Sequence, residues 1–95
     1  MIKSFKDKET EKIFNQEFSK LLPNSIQKTA LRKLMMIDAA SKLSDLKVPP
    51  GNRLEQLMGD KSGKWSIRIN DQWRILFIPS EDGKEYTEVE IIDYH

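Results

Sequence analysis

Two tryptophan-bearing runs separated by a short polar turn, WSIRI and WRILF within the stretch GDKSGKWSIRINDQWRILF at positions 59–77, constrain the fold of this chain more than any other segment. Each run alternates with period two, so each is expected to form a strand that buries one face and wets the other. The turn length decides the register. A two-residue turn at Asn70 and Asp71 pairs Ile67 with Arg74 and sets a charge beside a tryptophan. A three-residue loop of Asn70, Asp71 and Gln72 instead pairs Ile69 with Trp73, Ile67 with Ile75 and Trp65 with Phe77. Because a one-residue slip moves every side chain to the other face, the odd loop is expected. It gathers one apolar face and places Arg68 and Arg74 together on the opposite one. Two adjacent arginines ask for an anion between them.

The chain around this hairpin has 95 residues, enough for one small domain over positions 1–95 with a single core. It has no cysteine, which removes disulfides and thiolate zinc sites. With one histidine and no carboxylate cluster, neither a metal nor a cofactor is expected. No apolar run is long enough for a signal peptide or a membrane span, so a cytoplasmic location is expected. The net charge of +1 conceals an asymmetry: residues 1–80 carry fifteen Lys and Arg against nine Asp and Glu, residues 81–95 one lysine against six acids. A basic body suits a phosphate-bearing partner, although lysines that simply keep a small domain soluble account for the count equally well.

Upstream of the hairpin, Ile2 to Phe5 alternates and reads as a short strand paired inside the sheet. Asp7 is the expected N-cap of a helix running to about Lys20, with Ile13, Phe14 and Phe18 as its narrow apolar stripe, followed by Leu21 and Leu22. Pro23 stops it, and Asn24 is placed to cap a second helix from Ser25 to about Ser41. Ile26, Ala30, Leu34 and Ile37 form the buried stripe of that helix, Lys28, Arg32 and Lys33 face outward, and Met35 and Met36 fill core. Leu43, Leu46 and Val48 suggest a helical turn before Pro49, Pro50 and Gly51. RLEQL, from Arg53, and TEVEIID, after the PSEDGK turn, read as further strands. Early helices and late strands predict an α+β domain: a mainly antiparallel sheet of four to five strands with two N-terminal helices packed on one face.

The tryptophans fall on the apolar parity of their strands and are assigned to packing ahead of base stacking. Arg68 and Arg74, supported by Arg53, Lys61 and Lys64, form a sheet face able to hold a phosphate with bidentate donors, with a solvated strand face as the plain alternative. At the C-terminus Asp93, Tyr94 and His95 gather groups suited to sharing a proton near neutral pH, and pairing of the last strand with WRILF would bring them beside Trp73 and Arg74.

On MIKSF, GNRLEQL, GDKSGKWSIRINDQWRILF and VEIIDYH, the chain resembles the RelE superfamily of bacterial toxins, and within it the HigB (host inhibition of growth) branch, over essentially its whole length. The resemblance implies a type II toxin that acts as a ribosome-dependent endoribonuclease, or mRNA interferase, cutting messenger RNA in the A site of the 70S ribosome. It also implies a HigA-type helix-turn-helix antitoxin as partner and metal-free chemistry, in which a 2′-hydroxyl attacks the adjacent phosphate and a 5′-hydroxyl leaves. Carried over by position, Asp93, Tyr94 and His95 become the acid-base and orienting group, and Arg74 stabilises the phosphorane. Gln72, two places earlier, is the family's polar residue, and Lys61 lies in its basic turn. Two positions depart from the pattern. Met58 stands where relatives have lysine, and Glu55 stands where some have histidine, a change unfavourable to phosphate that Lys61 or Lys64 would offset.

The main alternative from the same resemblance is a ParE-like toxin that binds DNA gyrase without nucleolytic chemistry. It has no need of a basic sheet face beside DYH. A second alternative is a partner-binding subunit whose activity has decayed at Met58.

Overall fold

The hairpin forms in the three-residue-loop register. The protein is described by a computed structural model over residues 1–59 and 63–94. Its strands β1 (Glu55–Gln56), β2 (Trp65–Arg68), β3 (Trp73–Pro79) and β4 (Tyr86–Asp93) form one antiparallel sheet in the order β1-β2-β3-β4. Between β2 and β3, Trp65 lies opposite Phe77, Ile67 opposite Ile75 and Arg68 opposite Arg74. Asn70 imposes this register. Its carboxamide oxygen accepts the backbone N–H of Gln72 at 2.9 Å and of Trp73 at 2.8 Å, while Ile69 N–H donates to the Trp73 carbonyl at 2.9 Å. A side-chain turn of this kind stabilises three loop residues where a two-residue turn would reverse every face.

The apolar face of the sheet meets two helices, α1 (Lys8–Phe14) and α2 (Asn24–Ala39). Ile26, Ala30, Leu34 and Ile37 recur at helical spacing along α2 and join Ile67, Ile69, Ile75, Phe77, Val89 and Ile91 in one buried cluster. Burying each large aliphatic or aromatic side chain of this set contributes about 1.5–3 kcal/mol. Trp65 and Trp73 pack half-buried against the same cluster, as their parity requires. α1 is pinned to β4 by the buried Thr10 hydroxyl, which accepts Ile91 N–H at 2.9 Å.

Several local expectations are corrected. Ile2 to Phe5 is not a strand inside the sheet: it runs along β4 through two isolated parallel bridges, Ile2 to Tyr86 and Phe5 to Val89. Between them Glu88 adopts φ 49°, and the β3–β4 register shifts between Leu76 and Ile78. A bulge there breaks any continuous ladder for a fifth strand. Asp7 caps α1 through Thr10 N–H at 2.7 Å, but the helix stops at Phe14 and not near Lys20. Gln16 turns left-handed at φ 63° and Glu17 N–H closes back on the Lys12 carbonyl at 2.8 Å. Gln27 then fastens the connector by donating to the carbonyls of Ser19 and Leu22. Phe18 and Leu21, read as part of a stripe, are consequently 62% and 78% exposed.

Asn24 is the first residue of α2, not its cap, and Pro23 holds the cap position without a side-chain hydrogen bond. Lys33, expected on the outer face, is buried, while Met35, expected in the core, is exposed and Met36 packs on it. RLEQL contributes only the two residues of β1. The expected turn after α2 is a short 3-10 helix, Leu43–Lys47, that buries Leu46 and leaves Val48 exposed.

Candidate active site

The face of the sheet away from the core cluster carries Ser66 and Arg68 of β2, Arg74 and Leu76 of β3, and Glu90 and Ile92 of β4. Arg74 is the buried cation at its centre, 7% exposed. Its Nη1 is 3.0 Å from Glu55 Oε1, its Nη2 donates to the Arg53 carbonyl at 2.6 Å, and the Tyr94 ring covers its flat with the guanidinium carbon 5.3 Å from the ring centroid. Glu55 lies opposite Ser66 on the neighbouring strand pair, so the Arg74 side chain reaches across β2 to the sheet edge. Arg74 Nε and the Ser66 hydroxyl are both buried without a hydrogen-bond partner among the described residues.

Pairing of β3 with β4 delivers the C-terminal residues. Trp73 lies opposite Asp93 and Arg74 opposite Ile92, and the pairing continues past the strand end, where Tyr94 N–H donates to the Gln72 carbonyl at 2.6 Å. Gln72 Nε2 donates to Asp93 Oδ2 at 3.1 Å. Four residues singled out in the sequence, Gln72, Arg74, Asp93 and Tyr94, therefore meet at one end of the sheet. His95 and Lys61 lie outside the described residues.

The remaining cations are arranged differently from expectation. Arg68 is beside Arg74 in register, but the two do not share a vacant anion site: Arg68 pairs with Asp71 of its own turn and Arg74 with Glu55. Two neighbouring guanidiniums, one of them buried, are tolerated because each has a carboxylate. Arg53 turns its side chain to solvent and offers its backbone carbonyl to the site. Lys64 lies about 13 Å along β2 from Arg68, and its ammonium is 3.4 Å from Glu90, a carboxylate that Lys6 also reaches at 3.4 Å.

Glu55, which the sequence presents only as a departure from a histidine, is the carboxylate partner of Arg74 in this candidate site. The signal was present in RLEQL, since setting that run opposite WSIRI with Glu55 across from Ser66 places its carboxylate on the arginine face. Met58, the other departure, is fully outward at 83% exposure. Among the described residues no cluster of His, Cys, Asp or Glu is placed to hold a metal ion, and no helix is long and apolar enough to cross a membrane.

Residues 3–95 match the family model of the HigB-like toxins, RelE-like toxins of the type II toxin-antitoxin system HigB. The chain belongs to this family. It is 45% identical over 78 residues to Toxin HigB-1 of Vibrio cholerae, covering 81% of this chain and 82% of that protein. It is 35% identical over 81 residues to Endoribonuclease HigB of Proteus vulgaris, covering 81% and 83%. Its fold is similar to that of the YoeB-YefM complex from Staphylococcus aureus, with a TM-score of 0.57 and 20% identity over all of this chain and 95% of that one. The HigB-like fold is thus the α+β arrangement expected, two helices packed on a four-stranded antiparallel sheet. As a toxin of a type II system, the protein has an antitoxin as its partner.

Proposed function

We infer that this HigB-type toxin is an endoribonuclease that cuts messenger RNA in the ribosomal A site, residues 1–95 acting as one domain in the cytoplasm. The observation that carries the reading is the convergence of Arg74, Tyr94, Asp93 and Gln72 at one end of the sheet, formed by the hairpin register and the β3–β4 pairing together. The similarity to Endoribonuclease HigB of Proteus vulgaris supports it.

Cleavage requires a base for the 2′-hydroxyl, a cation for the phosphorane and an acid for the leaving oxygen. The 2′ oxygen attacks phosphorus and gives its proton to the base. The bond to the 5′ oxygen breaks, that oxygen takes a proton from the acid, and the products are a 2′,3′-cyclic phosphate and a 5′-hydroxyl. Asp93, Tyr94 and His95 supply and orient the proton-transfer groups, with Gln72 holding Asp93. Arg74 stabilises the phosphorane. The phosphate enters by replacing Glu55, whose side chain is 47% exposed and is free to move into water, while the Arg53 carbonyl and the Tyr94 ring retain the guanidinium. Arg53, Arg68, Lys61 and Lys64 hold neighbouring phosphates of the strand, Arg68 and Lys64 by exchanging their own carboxylates for them. A HigA-type helix-turn-helix protein is the antitoxin, and the 70S ribosome presents the message.

Purified toxin incubated with programmed 70S ribosomes is expected to cut the message at the A site while leaving the same RNA intact in free solution. Inhibition of gyrase supercoiling without cleavage on ribosomes would overturn the assignment.

A further inference from the structure

Lys33 sits in the interior of α2 with 6% of its surface exposed, and among the described residues no carboxylate pairs with it. Burial first, then the positive charges of Arg32 and Arg68, push its ammonium below the ordinary lysine value. A cation kept under these conditions is costly unless it makes a directed bond. It makes one, donating to Oδ1 of Asn52, which is itself fully buried.

Asn52 passes the constraint on. Its Nδ2 donates to the carbonyls of Leu46 at 3.1 Å and Val48 at 3.4 Å, fastening the short 3-10 turn Pro50–Asn52 beneath the sheet edge. The next residue, Arg53, is left-handed at φ 46° and ψ 56°, a conformation that a residue with a side chain holds only where its surroundings impose it. In that conformation its carbonyl accepts Arg74 Nη2 at 2.6 Å. One continuous set of bonds therefore runs from the middle of α2 to the guanidinium on the far side of the sheet.

We propose that Lys33 is a positioning residue for Arg74: by holding Asn52 it fixes the turn at residues 50–53, and with it the carbonyl that orients the guanidinium. An apolar side chain would serve the packing of α2 at this position; the ammonium adds a donor aimed at Asn52. The effect on cleavage rests on the assignment of Arg74 given above, whereas the bonded path to its guanidinium does not.

The test follows the Arg74 Hε proton by NMR in the free protein, alongside messenger RNA cleavage on programmed ribosomes. Lys33→Met keeps the length of the side chain and removes the donor. It is expected to speed Hε exchange with water about tenfold or more and to lower kcat on the order of ten- to a hundredfold at unchanged KM, the scale on which a displacement of about 1 Å acts. Asn52→Asp retains an acceptor for Lys33 and removes the donors to Leu46 and Val48; it is expected to produce the same two changes and tests the Asn52 half of the path, while Lys33→Leu, also without a donor, decides the Lys33 half if Lys33→Met does not fold. Wild-type exchange in a folded variant overturns the proposal, whatever happens to cleavage. Faster exchange with cleavage unchanged upholds the bonded path and overturns instead the role of Arg74 in the chemistry.

Discussion

The Tyr94 ring lies over the Arg74 guanidinium, its centroid 5.3 Å from the guanidinium carbon, and so joins the turn-proximal end of the hairpin to the end of the last strand. With Tyr94 38% exposed, the contact is worth about 0.5–1 kcal/mol. Tyr94→Leu is expected to lose stability by roughly that amount. Tyr94→Phe keeps the ring and removes only the hydroxyl: thermal denaturation should show wild-type stability, and single-turnover cleavage should show a rate lower by roughly 10²-fold, the usual size of a lost proton-transfer group.

Glu55 occupies the guanidinium edge at which the proposed function places the phosphate, 3.0 Å from Arg74 Nη1. Because it is half-exposed, the pair is worth about 0.5–1 kcal/mol and is readily exchanged. Glu55→Gln is therefore expected to bind a non-cleavable 2′-deoxy analogue of the message about two- to fivefold more tightly, the same free energy expressed as affinity. Fluorescence anisotropy measures it. Weaker binding would show that Glu55 supports the substrate instead of standing in its place.

How much of this was legible in the sequence depends on whether local or long-range geometry decided each feature. The hairpin register followed from alternation, because only one loop length gathers Trp65, Ile67, Ile75 and Phe77 on one side, and Asn70 supplies the local turn that enforces it. The convergence of Arg74 with Asp93 and Tyr94 followed from strand pairing. The early end of α1 was hidden because Phe18 and Leu21 continue its helical spacing, while the left-handed turn at Gln16 closes on Lys12 and the connector beyond it is clamped by Gln27 of α2. Burial of Lys33 was equally hidden, since its partner Asn52 lies nineteen positions away in a turn with no periodic signal. The pairing of Arg74 with Glu55 required the placement of a two-residue strand, too short for alternation to register.

Acid stability should report the start of the fold. The Ser19 hydroxyl, donating to Glu9 at 2.6 Å, and then Lys12 at 3.4 Å hold the Glu9 carboxyl below its ordinary value. A carboxylate depressed in the folded state stabilises the fold fully above its unfolded value, and that contribution is lost as pH falls through the folded value. Ser19→Ala is expected to lower the thermal midpoint at neutral pH and to flatten the acid limb of its pH dependence. Equal acid limbs in the two proteins would contradict this.

Gly83 carries the turn into β4. It has φ 71°, its carbonyl accepts the buried Tyr86 hydroxyl at 2.6 Å, and a Cβ there would stand 2.6 Å from the backbone nitrogen of Leu43. Neither the turn nor the 3-10 backbone can yield cheaply. Gly83→Ala is expected to cost about 2 kcal/mol or more in urea denaturation, combining left-handed strain with overpacking.

Arg74 is where the packing of the hairpin and the proposed chemistry meet, so the most direct test compares wild type with Arg74→Lys on programmed 70S ribosomes by primer extension, both proteins verified as folded by circular dichroism. Lysine keeps one charge and gives up the planar fork that reaches the Glu55 position and the Arg53 carbonyl together. The account predicts A-site cleavage by the wild type and a rate lower by about 10²–10³-fold in Arg74→Lys, as for loss of a transition-state donor; cleavage by Arg74→Lys at the wild-type rate would contradict it.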